Sequence, residues 1–277
     1  DGAGEAAVSL LYGRANPSGK LAETFPLKLE DNPSYLNFPG ENDRTEYREG
    51  VFVGYRYYDA KGMEVLFPFG YGLSYTTFAY SDLELGTDAF AEGEELSVAL
   101  TVTNTGERAG EEVVQLYVAP PIGQRRRPVR ELKRFTKVAL EPGESARVEF
   151  SLDARALSYY EPILHEFCAE SGAYGIEVGA SSRDIRLQGT VSFASSSAPS
   201  RAFTAYSTVG DVMAHPAGEK VFAPLLERMV QGMGEAAGSG DDAGAREMIG
   251  GIQLSSLVGF GMLTEEQLGD LLARLNE

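Results

Sequence analysis

Residues 13–21 read Gly-Arg-Ala-Asn-Pro-Ser-Gly-Lys-Leu, a glycine-bounded stretch ending in lysine that invites comparison with a phosphate-binding loop. Such a loop needs four residues between its glycines and a Ser or Thr after the lysine to hold Mg²⁺. Here Arg14 to Ser18 intervene, one residue too many, and Leu21 follows Lys20 without a hydroxyl. Pro17 also removes one of the backbone N–H groups that would cradle phosphate. The stretch is therefore a turn. Metal and triad chemistry fare no better. His165 and His215 are the two histidines and lie too far apart to form a local chelate. Cys168 is the single cysteine, so neither an internal disulfide nor a cysteine cage for zinc can form. No Gly-x-Ser-x-Gly elbow occurs, and neither histidine is placed to activate a serine. No metal and no cofactor is expected.

Paired carboxylates are the remaining chemistry. With 41 acidic residues most are solvated surface, but Glu41, Asp43, Glu46 and Glu49 cluster with Arg44, Tyr47 and Arg48, and Arg56 follows. A charged loop beside aromatics can rim a binding site. The favoured alternative is a structural network of ion pairs at a domain junction. Glu46, Tyr47, Glu49 and Arg56 are the candidate residues of a substrate-site rim. The run Gln124-Arg125-Arg126-Arg127-Pro128-Val129-Arg130, with Lys133 and Arg134, is basic in an acidic chain. It fits either an anionic partner or, preferably, an exposed hairpin contacting acidic surface of its own protein.

The elements that must position these residues follow from patterning. Glu5–Tyr12 carries an apolar stripe and precedes Gly13, the expected C-terminal cap of a helix. After the Asn-Pro-Ser-Gly turn, Lys20–Pro26 alternates as a short strand. This helix–turn–strand unit is the tail of an α/β layer, and the chain is expected to begin in mid-domain. Residues 27–46 read as loop, Val51–Tyr58 as a strand, and Phe67–Tyr75 as an ordered aromatic, glycine-rich loop between domains. From about residue 76, the series Leu96–Val102, Val113–Val118, Val138–Leu140, Ala146–Phe150, Tyr174–Val178 and Ile185–Phe193, with turns at Asn104–Arg108 and Glu141–Glu144, predicts about seven short strands in a β-sandwich of immunoglobulin or fibronectin type III shape. Residues 194–202 are a Ser/Ala/Pro linker. Helices are then expected after Thr208, over Val221–Met233 and Ala245–Ile249, and after Thr264, where Gln267 completes a capping box and Leu268, Leu271, Leu272 and Leu275 form one face. The fold class is thus α+β and multidomain. It comprises the end of an α/β sandwich domain (1–75), a fibronectin type III-like β-sandwich (76–193), a linker (194–206) and a helical C-terminal extension (207–277).

Net charge is −17, which repels nucleic acid phosphates, and no apolar run reaches membrane-spanning length. Neither nucleic acid nor membrane is an expected partner. A single cysteine and the absence of a glycosylation sequon suggest a cytoplasmic location.

Several long motifs together carry a resemblance. Tyr12–Pro26 (YGRANPSGKLAETFP), Tyr47–Tyr58 (YREGVFVGYRYY), Phe67–Phe78 (FPFGYGLSYTTF), Val102–Gly106, Gln115–Val118, Arg130–Lys133, Pro142–Ser145 and Val178–Ile185 resemble, in order, the C-terminal portion of glycoside hydrolase family 3 enzymes of the β-glucosidase type. The resemblance runs through residues 1–193 and more loosely into the helical tail. It places Gly13–Leu21 at the helix-to-strand turn of the second α/β domain. It implies a retaining mechanism in which an Asp nucleophile attacks the anomeric carbon and a Glu serves as acid and base. The family's Asp lies in an N-terminal barrel and its Glu usually ahead of the segment matched here. Neither motif is present, so no catalytic residue is assigned. Relatives often carry a Trp before the last strands, where this chain has Ile163–Cys168 without one.

The expected partner is a barrel-containing N-terminal part of the same enzyme, with a carbohydrate substrate, and the chain alone is expected to be inactive. A xylosidase or arabinopyranosidase specificity is the alternative within the class. A non-catalytic scaffold for domain or subunit assembly is the alternative outside it, with the C-terminal helices as a possible homo-oligomer contact. A carbohydrate-binding role for the sandwich, through Tyr117, Phe135, Phe150 or Tyr174, has the least support.

Overall fold

The computed structural model describes residues 2–121, 126–162, 165–196, 202–213, 218, 222, 226–227 and 249–276. The chain divides into two compact units, Asp1–Ala198 and Pro199–Glu277.

The first unit opens with helix α1 (Ala3–Leu11), which Gly13 closes at φ +69°, a left-handed conformation suited to glycine. None of the residues of α1 is buried, and Val8, Leu11 and Tyr12 are exposed. The strand expected over Lys20–Pro26 shrinks to β1 (Phe25–Pro26), paired antiparallel with β2 (Val65–Phe67). The strand expected over Val51–Tyr58 is not formed; helix α2 (Tyr55–Ala60) stands there instead. Its residues look β-prone, but Gly54 turns the chain at φ +55°, and the two buried side chains, Tyr55 and Tyr58, are three apart, the spacing of a helix face.

The sandwich has eight strands rather than seven. One sheet has the order β3-β5-β8, formed by β3 (Phe78–Leu85), β5 (Leu96–Asn104) and β8 (Ser145–Leu152). The other has the order β4-β12-β11-β6-β7, formed by β4 (Ala89–Ala91), β6 (Gly110–Ala119), β7 (Glu131–Leu140), β11 (Gly172–Gly179) and β12 (Ile185–Ala194). The extra strand, β4, is three residues long and runs parallel to β12, too short for an alternation signal. Leu96, Val98, Leu100 and Val102 of β5 meet Val114, Leu116 and Val118 of β6 in the core. Each such side chain contributes about 1.5–3 kcal/mol by leaving water. Helix α3 (Ala154–Leu157) and the hairpin β9 (Tyr159–Glu161)–β10 (Glu166–Cys168) lie between β8 and β11 in the chain.

Strand β6 is buried on both faces. Val114, Leu116 and Val118 point into the sandwich, yet Gln115 and Tyr117, on the opposite face, are buried as well. The segment around α2 covers them: the Tyr55 ring stacks on Phe69 and meets Tyr117 edge-on. The Gln115 amide donates to the carbonyls of Gly70 (3.1 Å) and Ala180 (2.7 Å), and its oxygen accepts from the Tyr117 hydroxyl (2.6 Å). Beyond them, Asn16 of the Asn-Pro-Ser-Gly turn donates to the Ala109 carbonyl and accepts from Ser74 and the Tyr75 amide. Lys20 pairs with the nearly buried Glu112 at 3.2 Å. The turn that resembles a phosphate loop is thus a fastening between the α/β segment and the sandwich. Buried Asn104, the last residue of β5, has its side-chain hydrogen bonds met: its amide donates to the Arg108 and Leu140 carbonyls and its oxygen accepts from Thr76 and Gly106.

The second unit contains α4 (Val209–Met213), α5 (Leu254–Gly259) and α6 (Glu265–Leu275) among its described residues. Thr208 and Asp211 cap α4 reciprocally. The capping box expected at Thr264 and Gln267 starts α6, and Leu268, Leu271 and Leu275 bury its apolar face. Helix α5 carries no expected signal, because its cap position holds Gln253 without a side-chain bond. Most of the helix expected over Val221–Met233, most of that over Ala245–Ile249, and His215 lie outside the described residues. Phe222, Leu226 and Ile249 join the core that α4, α5 and α6 enclose.

Two stability outcomes are expected. Gly70 sits at φ +79°, and a Cβ there would lie 2.1 Å from the Gln115 side-chain oxygen. Gly70→Ala should lower unfolding stability by at least about 2 kcal/mol, from backbone strain plus the displaced amide, read as a shifted urea midpoint of the first unit. Thr264→Ala should cost the helical unit about 1 kcal/mol, detected as earlier loss of helical circular dichroism on denaturant titration.

Candidate functional site

The charged loop before α2 forms one wall of a cleft of about 270 Å³. Glu49, Arg48, Phe52, Tyr57, Lys61 and Arg126 face it, so residues of the acidic loop, of α2 and of the basic run converge. One carboxylate oxygen of Glu49, Oε2, is buried without a hydrogen-bond partner. An unpaired acceptor of this kind costs about 1–3 kcal/mol unless something supplies a proton or a cation. The Arg126 guanidinium lies over the Phe52 ring, 5.2 Å from its centroid, and Lys61 lies over Tyr57, whose hydroxyl accepts from Nζ at 3.2 Å. The cleft therefore offers one carboxylate, two cations with aromatic faces beside them, and a polar rim.

The four candidate rim residues do not share one place. Glu49 enters the cleft. Glu46 forms a two-residue ion pair with Arg48, both exposed. Tyr47 is 83% exposed. Arg56 is turned by α2 toward the sandwich, where it meets Glu131 at 3.4 Å. That contact belongs to a larger cluster, since Glu131 also pairs with Arg127 (3.1 Å) and Lys133 (3.4 Å). Burial alone would push the Glu131 carboxyl up, but Lys133, Arg56 and Arg127 outweigh it and hold the group below the usual glutamate range. Burial lowers the Lys133 ammonium, opposed by Glu131 and reinforced by Arg127. The described part of the basic run is accordingly anchored rather than free, with Arg127 nearly buried and Arg130 paired with Glu177 and donating to the Ser182 carbonyl; Gln124 and Arg125 lie outside the described residues. Nearby, Arg183 joins the sandwich to α2 through Asp59 (2.8 Å) and the Met63 carbonyl (2.7 Å). Phe52, Lys61 and Arg126 were not singled out as site residues by spacing. Their signal was the aromatic–basic composition of two stretches about seventy residues apart, which only folding brings together.

Of the aromatics considered for sugar binding, Tyr117 and Tyr174 are fully buried and Phe150 packs against the core. Phe135 is 69% exposed. Burial raises the phenol pKa of both Tyr117 and Tyr174.

This architecture defines an α+β chain in which a fibronectin type III-like sandwich is sewn to the end of an α/β layer. Residues 1–75 match the glycosyl hydrolase family 3 C-terminal domain, and residues 112–182 match the fibronectin type III-like domain. The chain belongs to glycoside hydrolase family 3, whose C-terminal portion it carries. It is 47% identical over 275 residues, 99% of this chain and 36% of the relative, to the thermostable beta-glucosidase B of Acetivibrio thermocellus. It is 45% identical over 222 residues, 80% of this chain and 29% of the relative, to an exo-alpha-(1->6)-L-arabinopyranosidase of Bifidobacterium breve. Among solved structures, a GH3 beta-glucosidase of Bifidobacterium adolescentis superimposes with TM-score 0.68 at 42% identity, covering 79% of this chain and 32% of that one. Beta-glucosidase 3B of Thermotoga neapolitana, in complex with glucose, gives 0.64 at 46% identity over 69% of this chain and 26% of that one. The chain spans about a third or less of the length of these relatives. Among the described residues, no helix is long and apolar enough to cross a membrane.

Glu131→Gln should destabilise the first unit by about 3 kcal/mol at pH 7, because three cations lose their shared carboxylate. A carboxyl with a lowered folded pKa contributes its stability above its unfolded pKa and loses it as the pH falls through the folded value. The gap between native and variant melting temperatures should therefore be full at pH 7 and close as the pH falls below about 4.5, the ordinary glutamate value.

Proposed function

We propose that this chain is the C-terminal part of a retaining β-glycosidase, a β-glucosidase by preference, that removes sugars from the nonreducing end. The observation that carries this reading is identity of 47% along 99% of the chain to a β-glucosidase, with no break at the sandwich or the helical unit. The arabinopyranosidase among the relatives keeps pentopyranosides, including xylosides, as alternative substrates. The two carboxyl groups of double displacement must stand about 5 Å apart across one glycosidic bond. The family motifs that would supply them are absent from this chain, so a barrel-containing N-terminal portion is proposed as its partner. The exposed apolar side of α1 (Val8, Leu11, Tyr12) and the two-stranded β1–β2 ribbon are the surfaces offered for that contact. On this reading Glu49 and Tyr47 border the sugar site, and Glu46 and Arg56 hold the loop that carries them. A cytoplasmic setting is inferred from the lone Cys168, buried and reduced. The exposed Phe260 and Met262 of the helical unit are proposed as part of a homo-oligomer contact.

The test is reconstitution. Hydrolysis of nitrophenyl β-glucoside is measured for this chain, for a barrel-containing N-terminal portion, and for their mixture. Activity restored only on mixing is expected; an N-terminal portion fully active by itself favours the scaffold reading. In the reconstituted enzyme, Glu49→Gln should reduce kcat/KM about tenfold or more if Glu49 borders the sugar. Unchanged kinetics with lowered stability would leave it a structural residue.

A further inference from the structure

A second, larger cleft of about 580 Å³ lies wholly within the first unit, against β7, α3 and the β9–β10 hairpin. Its walls carry five basic side chains, Arg126, Arg127, Lys133, Arg134 and Arg155, against two acidic ones, Glu131 and Asp153, although the whole chain is strongly acidic. Asp153 is committed to capping α3 through the Ala156 amide at 3.0 Å. Glu131 is shared by Arg56, Arg127 and Lys133, whose side chains are 33%, 5% and 15% exposed, so one carboxylate faces three partly or fully buried cations. The Arg127 guanidinium also rests over the Tyr159 ring at 5.3 Å and beside the Tyr174 hydroxyl, neutral neighbours that bring no counter-charge. Burying cations without counter-charge is expensive, and a ligand carrying the missing charge would relieve it.

The sign of that imbalance points to an anionic ligand, since cations outnumber carboxylates in the cleft walls. A phosphate monoester carries nearly two negative charges at neutral pH, with a second pKa near 6. The reachable donors are Lys133 and the exposed Arg134 and Arg155, with the Arg127 charge behind them. Tyr160 and Phe167 are about half exposed and meet edge to face at 5.1 Å; the Arg155 guanidinium covers one face of Phe167, 3.0 Å from its centroid, so the Tyr160 ring is the platform left for the carbon skeleton of a sugar. The cleft volume is that of a small-molecule site. We propose that this cleft binds a small phosphorylated sugar, with its phosphate held by Lys133, Arg134 and Arg155 and its ring against Tyr160. The site adjoins the Glu49 cleft, with which it shares Arg126, but its proposed ligand contacts are different residues, and it does not depend on the glycosidase reading.

Isothermal titration of the full chain at low salt, with glucose 6-phosphate, inorganic phosphate and glucose as separate probes, tests this. Saturable one-to-one binding is expected for glucose 6-phosphate, more weakly for phosphate and not for glucose, and it should weaken about tenfold between pH 7.5 and 5.5 as the phosphate takes up a proton. Arg134→Gln combined with Arg155→Gln, two exposed positions, should retain the fold and weaken binding at least tenfold; Tyr160→Ala should abolish the preference for the sugar phosphate over phosphate. Absence of saturable binding, equal binding of glucose, or affinity unchanged in the Arg134/Arg155 variant would overturn the proposal and leave the cleft as a surface for an acidic segment of a partner protein.

Discussion

Strand β6 must be buried on both faces, and the rest of the first unit follows from that requirement. Its inward residues enter an ordinary sandwich core, but Gln115 and Tyr117 point away from it and would be a polar–aromatic patch in water on an isolated sandwich. The α2 segment and the Phe67–Tyr75 loop close over them, with Tyr55 stacked on Phe69 and the Gln115 amide spanning Gly70 and Ala180. A segment whose first helix buries no residue of its own gains its fixed shape from this contact. The glycine at 70 is required because the amide occupies the space a side chain would need.

Electrostatics reinforce the same junction. The chain carries a large negative charge, yet its cations are concentrated where the α/β segment meets the sandwich: Lys20 on Glu112, Arg183 on Asp59, Arg56 and Arg127 on Glu131. These pairs are partly desolvated, so removing one partner costs more than breaking a surface ion pair. Arg126 lines both clefts, on either side of the basic run. Positioning and binding are therefore not independent here: the residues that fasten the two layers are the neighbours of those left with unbalanced charge.

The charged loop shows where reading by spacing stops. Glu46, Tyr47, Glu49 and Arg56 are close in sequence and of types that bind sugars, but their directions depend on Gly54, whose positive φ starts a helix where an aromatic, β-branched run suggested a strand. That reversal sends Arg56 toward Glu131 and leaves Glu49 beside Phe52, Lys61 and Arg126. A strand would have alternated the same side chains between two faces and brought none of them to residue 126.

Local chemistry in the sequence determined what depends on neighbours along the chain. The Thr264–Gln267 capping box, the Gly13 helix end, the Asn104 turn, the alternation of β5 and β6 and the ordered family motifs were all legible, because capping, turn geometry and strand alternation act within a few residues. Tertiary structure alone decided the helix at Tyr55–Ala60, the short parallel β4, the second buried face of β6 and the three cations gathered on Glu131. Each depends on at least one partner tens of residues away, which for Glu131 is Arg56. Their burial and Coulomb energies, set by distance in space, override local propensity and leave no periodic trace in the chain.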